Sequence, residues 1–169
     1  MNLAPLTTLI IGVGNADRGD DGAGVAAAHL LMNQVADDVS VIELSGEGTA
    51  VMDAWRGASR VFVVDAVCSG ATPGTVHRFD VSSAPLPAAL FPCTTHGFGV
   101  AGAIEMARAL HELPPQVIVY GIEAASFDES RELSRELQHA VTAVCAQILG
   151  ELLPAHENDD AVRTDSTMR

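Results

Sequence analysis

Three carboxylates, Asp17, Asp20 and Asp21, lie in the glycine loop GVGNADRGDDGAGV of residues 12–25. Carboxylates gathered in a loop can hold a cation, orient a polar substrate or exchange protons with water. First-turn acids also cap helices, which accounts for one or two of them but not for Gly12, Gly14, Gly22 and Gly24 around them. A fourth carboxylate, Asp65, interrupts the apolar run RVFVVDAV. There it is costly unless paired, hydrogen-bonded or metal-bound, the bland alternative being an Asp that caps the following turn. His96 stands in TTHGFG, between threonines and the Gly-x-Gly start of a helix. Two carboxylates and an imidazole would make a three-ligand site for a divalent metal with one open position. Such oxygen and nitrogen donors suit zinc, nickel or manganese alike. Cys68 and Cys93 lie near Asp65 and His96, so a Cys–His nucleophile is conceivable, but packing explains the cysteines more simply.

The same loop invites a dinucleotide-binding reading, which fails on its residues. The G-x-G-x-x-G fingerprint needs a third glycine where Asp17 stands. The helix start that should meet a pyrophosphate carries Asp20 and Asp21, which favour the helix dipole and repel phosphate.

The elements that must position these groups follow from apolar patterning. Leu9 to Val13 forms a buried strand and Gly22 to Val35 a helix. Val39 to Leu44 is a second strand, followed by the loop Ser45-Gly46-Glu47-Gly48-Thr49 and a short helix through Trp55 that Gly57 closes. Arg60 to Val67 is the third strand, and Thr75 to Val81 alternates as a half-buried or edge strand. Residues 82–97 form a long connection with Pro85, Pro87 and Pro92, whose apolar character suits a docking loop or added core. A helix over Phe98 to His111, a strand over Gln116 to Ile122 ending at Glu123, and a helix over Ser134 to Leu153 complete the domain. The order β-α-β-α-β-β-α-β-α implies α/β architecture: a three-layer α/β/α domain over residues 1–153, with a mostly parallel, twisted, five-stranded sheet and one edge strand free to run antiparallel. The acidic segment 154–169 is expected to be a disordered tail. In such sheets ligands bind beyond the carboxyl ends of the strands, where Asp17, Asp20, Asp21, the 45–49 loop, Asp65 and Glu123 all fall.

Composition removes several classes of partner. The formal net charge is −13, and all nine basic side chains are arginine. That balance argues against nucleic acid and anionic membrane surfaces. No apolar run reaches membrane-spanning length, and the N-terminus lacks the pattern of a signal peptide. Three cysteines without a Cys-x-x-Cys pair indicate neither a disulfide framework nor a zinc ribbon, so a reducing cytoplasm is expected.

Taken together, the blocks GVGNADRGDDGAGV, VFVVDAVCSGATPGTVHRF, TTHGFGVA and PPQVIVYGIE, with the last helix, resemble the [NiFe]-hydrogenase maturation proteases. The resemblance covers about residues 8–153 and implies an endopeptidase that trims a C-terminal extension from the hydrogenase large-subunit precursor. By the same resemblance Asp21, Asp65 and His96 contact a metal, which is nickel already inserted in the precursor, and no organic cofactor is expected. The first-loop acid, often Glu in the family, is Asp here. Where many members carry Asp-Gly-Gly-Thr after strand two, this chain has Ser45-Gly46-Glu47-Gly48-Thr49. Glu47, Asp17 or Asp20 is then the expected proton acceptor. Two alternatives remain: a non-catalytic assembly factor that binds nickel or precursor, and a different hydrolase on the same sheet.

Overall fold

The computed structural model describes residues 7–87, 98–128 and 132–153. Its elements run β1 (Thr8–Val13), α1 (Ala23–Met32), β2 (Val39–Leu44), α2 (Gly48–Ala54), β3 (Arg60–Val67), β4 (Val76–Asp80), α3 (Val100–Ala109), β5 (Gln116–Glu123) and α4 (Arg135–Leu152). The strands make one sheet of order β2-β1-β3-β5-β4, parallel except for the antiparallel β4–β5 pair. This is the expected α/β sheet, including its antiparallel edge.

The apolar runs dictate the layering. In β1, β3 and β5 nearly every residue is apolar, as strands covered on both faces require. Alternate side chains go to opposite faces. Ile10, Phe62, Ile118 and Tyr120 pack with Leu31 of α1 and with Leu137, Val144 and Ile148 of α4. Ile11, Val61, Val63 and Val119 pack on the other face with Val51 of α2, Trp55, and Val100 and Ile104 of α3. Among the described residues, no helix is long and apolar enough to cross a membrane.

The structure adjusts the local reading in two places. Asp20 and Asp21 belong to a separate 3-10 turn, Gly19–Gly22, and α1 begins only at Ala23. The helix expected over Phe98 to His111 is shorter, ending at Ala109, and His111 adopts a left-handed φ of 58°. Gly57, in contrast, has the positive φ of 82° expected of a residue that ends a helix. The tail from residue 154 and most of the proline-rich connection, residues 88–97, lie outside the described residues.

Candidate active site

Because β1, β2, β3 and β5 are parallel, their carboxyl ends share one edge of the sheet. The chain leaves β1 for β2 on one side and returns to β3 on the other, so strand order reverses between β1 and β3. Such a reversal opens a crevice between the outgoing loops. Asp21 follows β1 and Asp65 nears the end of β3, placing one acid on each side of it.

Glycines bring the two sides together. A Cβ at Gly24 would lie 2.2 Å from both the Val13 and Val64 carbonyl oxygens, so α1 presses directly on β1 and β3. At Gly14, φ is +137° and a Cβ would stand 1.8 Å from the Asp21 carbonyl oxygen. Only glycine fits such approaches. The loop's glycines therefore close the backbone around Asp21, which supplies the reason that capping alone did not.

Asp65 is buried, and its strand position puts it on the face shared by Val61 and Val63. Burial first, and the nearby Asp21 charge second, push its carboxyl from the ordinary 3.8 up to about 8, against a smaller opposing effect from the Ala66 amide. At neutral pH Asp65 therefore carries a proton. Asp21 is half-buried and opens into a cleft of about 470 Å³, which is also lined by Asn15, Arg18, Glu43 and Ser45. Ser45, the first residue of the loop after β2, forms part of that wall.

The remaining acids are held by the scaffold. Asp20 is buried, and its carboxylate accepts hydrogen bonds from Ala125 N (2.8 Å), Ser134 N (2.7 Å) and Ser134 Oγ (3.0 Å). It ties the 3-10 turn to the start of α4, where Ser134 is itself the N-cap. A proton-accepting role for Asp20 is thus replaced by a structural one. Glu47 caps α2, accepting from Thr49 N (3.1 Å) and Ala50 N (3.0 Å), with Thr49 Oγ1 at 2.5 Å. A base role for Glu47 would fall to a carboxylate that also holds a helix end. Asp17 sits in a turn that its own amide closes on Asn15 Oδ1.

Glu123 was legible as the end of a strand but not as an anchor. Its carboxylate accepts from Ser69 N (2.7 Å), Gly70 N (2.8 Å), Ala71 N (3.1 Å) and Ser69 Oγ (2.8 Å). Burial alone would raise its pKa, but the bonds from Ser69 and Gly70, with His77 adding to them, hold it below the usual range. Cys68 is disulfide-bonded, which corrects the reading of the cysteines as unpaired and removes it as a thiol nucleophile. Spacing in sequence gave no sign of that bond.

The structure therefore brings Asp21 and Asp65 together. His96 and Cys93 lie outside the described residues. Among the described residues, no group of three His, Cys, Asp or Glu side chains converges as a metal site. The chain resumes at Phe98, whose carbonyl accepts from Gly48 N at 2.8 Å, beside the Glu47 cap.

Comparison with known proteins adds a family to this geometry. A family model described as hydrogenase maturation protease matches residues 25–151, well over half of the chain. The chain belongs to the hydrogenase maturation protease family. The match begins just after Asp21 and includes Asp65 and His96. A putative hydrogenase maturation protease of Methanocaldococcus jannaschii is 31% identical over 153 residues, covering 85% of this chain and 95% of the relative. The hydrogenase expression/formation protein HupD of Thiocapsa roseopersicina is 26% identical over 72% of this chain, which spans only 56% of HupD. Among solved structures, the [NiFe] hydrogenase maturation protease HybD of Thermococcus kodakarensis superimposes with a TM-score of 0.68 at 26% identity. That likeness covers 87% of this chain and 99% of HybD.

Proposed function

We propose that this protein is the endopeptidase that removes the C-terminal extension of a [NiFe]-hydrogenase large-subunit precursor after nickel insertion. Family membership supports the reaction class. The observation that carries the chemistry is the Asp21–Asp65 pair at the sheet's reversal point, with one proton held on Asp65. Two carboxylates this close resist joint ionisation unless a cation joins them. Nickel, arriving as part of the substrate, fits that requirement: it would exchange for the Asp65 proton and favour the loaded precursor over the empty one. Asp21, Asp65 and His96 are the proposed contacts to it. The Asp21 carboxylate lines the cleft; it would take a proton from water at the scissile bond and pass it to the leaving amine. Asp17 and Glu47 are secondary candidates for that transfer. The protein is proposed to act in the cytoplasm, where a precursor would be assembled.

The test is a processing assay with nickel-loaded and nickel-free large-subunit precursor from the same organism. Cleavage of the loaded form alone is the expected result. Stable binding without cleavage would replace this reading with that of a non-catalytic assembly factor, which the Ser45 position motivates. Neither binding nor cleavage would overturn both.

A further inference from the structure

The two edges of the sheet are finished differently. β4 is short, carries His77, Arg78 and Asp80, and holds Arg78 in a two-point contact with Glu151. Short, charged edges of this kind discourage pairing with other chains. β2, VSVIEL, contains no proline or basic residue, and among the described residues only β1 pairs with it.

The backbone direction along β2 can be read from one bond. Gly14 N donates to Leu44 O at 3.0 Å, so Leu44 turns its peptide groups towards β1, as do Ile42 and Ser40 at the same parity. Val39, Val41 and Glu43 turn theirs outward. Val39 N is used locally, donating to Ala36 O at 3.0 Å. The N–H and C=O of Val41 and Glu43 face away from the sheet. Their side chains are occupied elsewhere: Val41 packs against the α1–α4 core, and Glu43 meets His29 of α1 at 2.5 Å. This edge therefore offers main chain rather than side chains.

It also leads into the cleft, since Glu43 and Leu44 of β2 and Ser45 beyond it form part of the wall that holds Asp21. We propose that the outer edge of β2 receives the substrate as an added strand. An extended segment of the precursor next to its cleavage site would hydrogen-bond to the Val41 and Glu43 peptide groups and so be led to Asp21. This deepens, and rests on, the endopeptidase reading. A protease needs its substrate chain extended, and strand addition holds it so through main-chain bonds. A second copy of this chain is the poorer occupant, because each copy brings a net charge of −13.

Val41→Pro removes an outward N–H without touching the β1–β2 ladder, and edge strands tolerate proline. In the processing assay with the nickel-loaded precursor, the variant should raise KM roughly tenfold, the equivalent of about 1.4 kcal/mol. Its kcat should stay within about twofold and its unfolding transition should be intact. An unchanged KM in a folded variant would overturn strand addition while leaving the endopeptidase standing. A second measurement on the wild-type protein guards against a variant that fails to fold. Peptides from the precursor's cleavage region, N-methylated at one residue each, compete in the same assay. Strand addition requires that methylation at alternate residues weakens competition and that the residues between tolerate it; a uniform or absent effect would overturn it. A wild-type protein that neither cleaves nor binds the precursor would sink the function beneath the proposal, and the proposal with it.

Discussion

Asp20 and Asp65 are both buried acids at the same edge of the sheet, yet they sit in opposite circumstances. Asp20 is surrounded by donors: peptide N–H groups of the β5–α4 connection and the Ser134 hydroxyl converge on it. Asp65 has the Ala66 amide and, facing it, another negative charge on Asp21. A buried carboxylate with its hydrogen bonds made is part of the scaffold, and removing it strands the donors. A buried carboxylate that is raised by burial and a like charge stores free energy that a proton or cation can release. The difference separates the residues that hold the cleft from those that can act in it.

The comparison breaks most visibly if Asp65 is neutralised. Asp65→Asn should stabilise the protein, whereas losing Asp20 should destabilise it. Because Asp65 has a folded pKa near 8 against an unfolded 3.8, its native state binds the proton more tightly. Stability is therefore full below pH 4 and declines as pH rises towards 8, by up to about 1.4 kcal/mol per pH unit. Urea unfolding of Asp65→Asn at pH 4, 6 and 8 should show no gain at the lowest pH and several kcal/mol at the highest. Asp20→Ala should cost about 3–5 kcal/mol, since it orphans buried donors and opens a loop junction.

Function sharpens the same contrast. Asp21→Asn and Asp65→Asn should each lower processing of the loaded precursor by roughly a hundredfold or more while the fold survives. Asp20→Ala would act on activity only through lost folding, visible as a fall in the amount of native protein. Glu123→Gln should have the smallest effect, about 1–3 kcal/mol, through charge-assisted bonds to Ser69, Gly70 and Ala71. Its pKa is lowered in the fold, so its contribution is present above about pH 4.5 and fades as pH falls through the folded value. Acid unfolding of Glu123→Gln should accordingly be less steep than that of the wild-type protein.

Much of the architecture was legible because it follows from local rules. The apolar runs of β1, β3 and β5 read as buried strands, and the helical segments between strands favour parallel pairing. The turn over residues 70–74 permitted β4 to return antiparallel, as it does. The site was legible only to the level of its edge. Asp20 and Asp21 are neighbours with the same side chain, and nothing in their spacing says which one meets the Ser134 amide and which the cleft. That is decided by the 3-10 turn, whose geometry depends on Gly14 and Gly24 fitting against distant carbonyls. Glu47 resembled a spare base because its partners, Thr49 N and Ala50 N, are main-chain groups invisible to residue patterning. The anchor role of Glu123 was hidden likewise, since its donors come from a turn more than fifty residues earlier in the chain.

The coupling between Asp21 and Asp65 can be measured directly by following the side-chain carboxyl carbons with carbon-13 NMR across pH 3–10. The account predicts an Asp65 midpoint near 8, falling measurably towards the ordinary carboxylate range in Asp21→Asn, because one of the two causes of the rise has been removed. An Asp65 midpoint near 4, unmoved by the loss of the Asp21 charge, would mean that the two acids do not form a pair.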